Sequence, residues 1–243
     1  MLIINADDLG GNKTSTYNSM LCFKKDRITS ASAMVFMADS QRAAELALEI
    51  GLNTGLHLNF TLKFDGDFIS NKLLERQQRI ASFMRRSNYC PLFYNPLLKR
   101  DFEYVYNAQY EEYLRLYNKK PSHNDGHHHM HLCTNMLVNR LIPEGYKVRR
   151  SFTFSAGEKN FLNRFYRYIV DAILTRRYIC TDYFFDISPH HKIERLIRIV
   201  NLSKYRNVEL MVHPERQEEF NYLMSDEYLQ VISDAERKNY NFL

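Results

Sequence analysis

The sequence predicts an α/β fold: a distorted (β/α) barrel with about seven parallel strands in a single domain. Three observations carry that expectation. Short apolar runs alternate with longer stretches of helical period, the pattern of helices laid against a mostly parallel sheet. The 243 residues, 45% hydrophobic and 25% charged, suffice for one barrel-sized core. Side chains capable of chemistry recur where apolar runs stop, and in such folds the active site gathers at the carboxyl ends of the strands.

Leu2 to Ala6 reads as the first strand and the stretch to about Lys25 as a helix. A second strand is expected near Ser32 to Met37, a helix from Asp39 to Ile50, and a third strand from Thr54 to Phe60. Between Asp65 and Lys120 the regularity loosens into a charged insertion bearing Tyr and Phe, with helices expected over Asn71 to Arg86 and Glu103 to Tyr117. That segment is placed to form a wall or lid. Strands return near Ser122 to Asp125, Tyr146 to Arg149, Ile179 to Tyr183 and Val208 to His213, with helices between them. No repeat, low-complexity tract or linker divides the chain, so residues 1–243 read as one domain with an insertion at about 65–120.

Composition narrows the function classes. The net charge is +5, but 28 acidic residues are interspersed with 33 basic ones and no basic stripe forms, so no nucleic-acid partner is expected. An anionic substrate or product fits the mild positive bias. No apolar run is long enough for a membrane span. The start, Met1-Leu2-Ile3-Ile4-Asn5, lacks the basic segment and apolar stretch of a secretory signal, which makes the cytoplasm the default location. Cys22, Cys90, Cys133 and Cys180 form no CxxC pair and read as reduced, mostly core thiols.

Four segments carry chemistry. The first apolar run stops at Asp7-Asp8, adjacent carboxylates whose repulsion in a water-poor cleft is relieved by a cation, with one acid left as a base. The third ends in His57-Leu58-Asn59-Phe60-Thr61, where His57, Asn59 and Thr61 share a face if extended. Five of the nine histidines fall in His123-Asn124-Asp125-Gly126-His127-His128-His129-Met130-His131, and imidazole is the commonest protein ligand for a divalent ion. There, alternation puts His123, Asp125, His127, His129 and His131 on one face and turns His128 away; the pattern does not fix which is the ligand. The last segment brings His213 to a strand end just before Pro214, as a candidate general acid.

In this order the segments resemble the YdjC-like carbohydrate deacetylase family. Asn5-Ala6-Asp7-Asp8-Leu9-Gly10, Ile28 to Val35, Gly55 to Thr61, His123 to His131, Thr181-Asp182 and Glu209 to Pro214 each look like one of its landmarks. Departures are Gly126, where many members have Ser, Asp26 in place of a Gly, and the glycine-poor stretch Gly11 to Thr16; they fall on substrate-side loops. The resemblance implies a distorted barrel, one divalent ion held at Asp8, His57 and His127, Asp7 as catalytic base, His213 near the leaving nitrogen, and a homodimer. Arg149, at another strand end, is a candidate to steady Asp7, with Arg150 as an equal alternative. Asn59, Asp125, His129 and His131 are substrate-binding candidates. Magnesium and zinc lead as the metal, and manganese or cobalt also fit such a nitrogen and oxygen shell. The expected activity is metal-assisted removal of N-acetyl groups from an acetylated amino sugar or oligosaccharide. The rivals are a metallophosphoesterase and a non-catalytic sugar- or metal-binding protein.

Overall fold

The computed structural model describes residues 1–154, 161–188 and 193–243. Its strands are β1 (Leu2–Leu9), β2 (Ser30–Ala33), β3 (Thr54–Leu58), β4 (Asn124–Gly126), β5 (Tyr183–Asp186) and β6 (Val208–Val212). They form one all-parallel sheet in the order β4-β3-β2-β1-β6-β5. The helices between them are α1 (Lys13–Lys24), α2 (Ser40–Glu49), α3 (Asn71–Met84), α4 (Lys99–Tyr117), α5 (Thr134–Asn139), α6 (Phe161–Arg177) and α7 (Ile193–Ser203). Two short helices, α8 (Gln217–Leu223) and α9 (Asp226–Ile232), follow the last strand. Every residue of β1, β2, β3 and β6 is buried, the mark of a parallel sheet covered on both faces.

The sheet is curled and barrel-like with six strands among the described residues, not seven. The expected strand Tyr146–Arg149 is reduced to two isolated parallel bridges, Val148 with Asn124 and Lys147 with Ile179. Gly145, at φ +80°, turns the chain just before it, and the side chain of Arg149 is drawn into the interior just after. This short segment still lies between the two edges of the curl. Val148 donates to the Ile179 carbonyl at 2.9 Å, and Asn124 donates to the Lys147 carbonyl at 2.8 Å.

Three strand ends differ from expectation, each for a local reason. β2 stops at Ala33 because Phe36 takes a left-handed φ of 60°, and Ser40 Oγ closes the turn by accepting from Met37 N and donating to the Met34 carbonyl, both at 2.9 Å. β3 stops at Leu58 because Asn59 folds its own side chain over the next residues. Its Oδ1 accepts from Thr61 N at 3.1 Å and Leu62 N at 2.8 Å. β5 starts at Tyr183, so Thr181 and Asp182 sit at the strand's amino end, where Asp182 Oδ2 caps Asn207 N at 2.8 Å, away from the site.

Helix α4 crosses from β3 back to β4 within the segment 65–120. Phe102, Val105 and Tyr113 are buried on its inner face, Tyr113 Oη donates to the Thr54 carbonyl at 2.9 Å, and Gln109 Oε1 accepts from Asn59 N at 2.7 Å. The four cysteines are free thiols, and burial pushes Cys22, Cys133 and Cys180 up to about 12. Those three thiols stay protonated packing groups at neutral pH.

Candidate metal and catalytic site

The candidate residues Asp7, Asp8, His57, His127 and His213 gather at the carboxyl ends of the parallel strands β1, β3, β4 and β6. Consecutive strand residues face opposite sides of a sheet, so Asp7 and Asp8 should point apart. They do not, because Asp8 has φ +63° and the β1–β2 register slips between Ala6 and Leu9. A left-handed Asp costs of order 1 kcal/mol, strain of the kind that accumulates at functional sites. Both carboxylates thereby line one cleft of about 450 Å³ with His57, His127, His128, His129, Phe152, Asp186, Met211, His213, Glu215 and Arg216.

Asp8, His57 and His127 offer ligand atoms that lie within 4.8 Å of one another. Asp8 Oδ1 is 3.1 Å from His57 Nε2 and 2.8 Å from His127 Nδ1. Burial opposes ionisation of Asp8, but the hydrogen bonds and charges of His127 and His57 hold its carboxyl well below the usual range. Behind His57, Asp125 Oδ1 sits 2.8 Å from Nδ1, which leaves Nε2 for the cleft. Burial alone would strip the proton from His57; the carboxylates of Asp125 and Asp7 reverse that and raise it well above the normal imidazole value. The interior field therefore favours positive charge at this spot, and two imidazoles with a carboxylate are a fitting donor set for a divalent cation.

Asp7 is gripped on its other side. Arg149, with no exposed surface, donates Nη1 to Asp7 Oδ2 at 2.6 Å and Nη2 to Oδ1 at 2.7 Å. Asn5 Nδ2 donates to Oδ1 at 2.9 Å. A carboxylate oxygen has two lone pairs, so Oδ1 is saturated and Oδ2 retains one. Between the two equal candidates, Arg149 makes this contact; Arg150 turns outward to Asp171, 2.6 Å from Nη2.

The histidine run does not stay extended. β4 ends at Gly126, and His128 and His129 take φ of 53° and 58° in a 3-10 turn, so the expected alternation breaks. His127 enters the donor set. His128 is exposed, with Nδ1 3.1 Å from Thr61 Oγ1. His129 lines the cleft edge-on against Phe152, with centroids 4.5 Å apart. His123 and His131 are buried: Ser32 Oγ lies 2.9 Å from His123 Nε2, and His131 Nε2 lies 3.0 Å from the Arg149 carbonyl. Burial pushes these two imidazoles down to about 3 and about 4, which keeps both neutral.

Of the four substrate-binding candidates, then, only His129 borders the cleft. Asp125 and His131 are enclosed behind the donor set, and Asn59 is spent on its own turn. His213 does face the cleft. Its backbone N–H donates to Glu219, whose Oε1 is 3.8 Å from His213 Nδ1. Burial lowers His213, but Glu219 and the charge of Asp7 outweigh it and raise the imidazole above its ordinary value.

Sequence reasoning missed Glu219, Asp186, Phe152, Arg216 and Glu209. Asp186 had a signal, as the carboxylate at the end of a strand-like run. Glu219 had only its place in the first turn of α8, six residues past His213.

Parallel strands ending in a buried Asp/His set that could hold a metal ion, with a second Asp held by arginine, define this α/β protein's cleft. The YdjC-like protein family profile matches residues 1–234, and the chain belongs to that family. It is 29% identical over 135 residues to a chitooligosaccharide deacetylase of Proteus mirabilis (strain HI4320), covering 54% of this chain and 50% of that one. It is 25% identical over 222 residues to the chitooligosaccharide deacetylase of Enterobacter sp. (strain 638), covering 88% and 81%. The first of these matches spans half the length of the relative. A crystal structure from Enterococcus faecalis V583, provisionally described as a cellobiose-phosphate cleavage protein, shares the fold with a TM-score of 0.68 at 19% identity. It covers 99% of this chain and 97% of that one.

Proposed function

We propose that the protein is a metal-dependent carbohydrate N-deacetylase that hydrolyses the N-acetyl group of an acetylated amino sugar or oligosaccharide. The observation that carries this reading is the Asp7–Asp8 pair: one carboxylate belongs to a cation donor set, and its neighbour is gripped by both terminal nitrogens of Arg149 in the same cleft. The names of the relatives supply the substrate class.

Asp8, His57 and His127 would hold the ion, magnesium or zinc by the chemistry of the set. Bound there, a divalent ion supplies Lewis acidity that activates water and polarises the acyl oxygen. Asp7 takes the proton of the attacking water on Oδ2, the oxygen with a lone pair to spare. Arg149 and Asn5 hold the Asp7 carboxylate in place through three hydrogen bonds. His213, whose imidazole Glu219 and Asp7 raise above its ordinary value, donates to the departing nitrogen. The aromatic edge formed by Phe152 and His129 borders the sugar's side of the cleft.

The phosphoesterase rival calls for two bridged ions. A second cluster, Asp7, His57 and Asp125, does exist, but Arg149 Nη1 already lies 2.6 Å from Asp7 and 2.8 Å from Asp125. A second ion would have to displace a buried guanidinium. The deciding experiment is an acetate-release screen over N-acetylglucosamine and its oligomers, before and after chelator treatment. Acetate release that chelation abolishes and zinc or magnesium restores is expected; release from no acetylated sugar overturns the reading.

A further inference from the structure

Glu209 is the buried acid for which the proposed reaction has no use. It lies on β6 with no exposed surface, and burial pushes its carboxyl up to about 7 against the opposing pull of Arg149. Oε1 accepts from Arg149 Nε at 2.7 Å. The terminal nitrogens of the same guanidinium are engaged by Asp7, and Nη1 lies 2.8 Å from Asp125 Oδ2. The Phe184 ring covers the guanidinium at 4.9 Å. One cation thus meets three carboxylates, more than a charge pair requires. A guanidinium is planar and rigid, so anchoring Nε as well as both terminal nitrogens fixes the plane in which the fork faces Asp7.

We propose that Glu209 is a positioning residue, which through Arg149 Nε holds the guanidinium in the orientation that presents both terminal nitrogens to Asp7. Its kinetic readout rests on the deacetylase reading; its structural readout does not. Glu209→Ala removes the Nε acceptor, whereas Glu209→Gln keeps an acceptor oxygen. In the Ala variant kcat is expected to fall roughly 10- to 100-fold, the range for groups that orient the residues around a metal site. KM and bound-metal content should stay unchanged, and Gln should recover most of the loss. In an Asp7→Asn background, Glu209→Ala should cost nothing more, because it acts through Asp7. A wild-type kcat in the Ala variant, a Gln variant as slow as Ala, or losses that multiply in the double variant would each overturn the proposal.

Should Glu209→Ala not fold, Glu209→Met fills the volume without an acceptor and takes its place. A crystal structure of the variant gives the independent readout: Arg149 should lose at least one of its bonds to Asp7, and both bonds intact refute the positioning role. A wild-type enzyme that releases no acetate defeats the deacetylase reading alone, so the two failures are told apart.

Discussion

At the residue scale, the site depends on breaking the strand's own rule. Asp7 and Asp8 serve one cleft only because Asp8 is left-handed, and the two acids then take separate partners, histidines for Asp8 and arginine for Asp7. That division of labour is testable. Asp7→Asn removes the proposed proton acceptor but none of the three proposed cation donors, so metal analysis should find the ion retained while acetate release falls about 10²- to 10⁴-fold, the typical worth of a general base. Wild-type turnover in this variant would show that the base lies elsewhere. The adjacency of the two acids is visible in the sequence; the left-handed φ that makes it useful is not, because it depends on how the end of β1 meets the turn after β2.

At the element scale, β3 and β4 meet through a glycine. A Cβ built on Gly55 would come within 2.3–2.6 Å of the His123 ring atoms. That ring cannot retreat: it stacks on Tyr240 at 3.6 Å and lies 2.9 Å from Ser32 Oγ and 3.0 Å from Ser122 Oγ. Gly55→Ala should therefore destabilise the fold by about 1–3 kcal/mol, the cost of overpacking a tight core, read as a lower urea midpoint with an unchanged slope. An unchanged midpoint would mean that the two strands yield more easily than this packing allows. Here lies the bland half of the histidine run: His123 and His131 are core imidazoles, kept neutral by burial. Sequence periodicity assigned them to the same face as His127 because it assumed an extended chain past Gly126, where the backbone instead turns.

At the scale of the whole molecule, the cleft concentrates negative charge. Asp7, Asp8 and Asp125 are buried around the donor set with Arg149 as their permanent counter-charge. An ion that binds only the folded chain stabilises it by about 2.7 kcal/mol at a hundred times its Kd. For a domain of this size that raises Tm by roughly 5 °C or more. Thermal unfolding with and without zinc or magnesium should show the shift in wild type and in His129→Ala, which leaves the donor set whole. Asp8→Ala and His127→Ala should lose both the shift and the bound ion; retention of the ion in both would remove the metal from the site proposed here.

Taken alone, the sequence determined the α/β class, five of the six strands within a few residues, and the segments that carry the chemistry, since hydrophobic period and strand-end residues are local properties of the chain. The seventh strand failed because Tyr146–Arg149 is short and its last side chain is pulled inward by carboxylates from β1, β4 and β6. Only the tertiary structure decided which histidine joins Asp8, that Arg149 rather than Arg150 grips Asp7, and that Asp125 lies buried behind His57 rather than on the cleft wall. Those choices rest on distances between residues up to 142 positions apart. Such distances are set by how the sheet curls, and no local pattern in the chain encodes them.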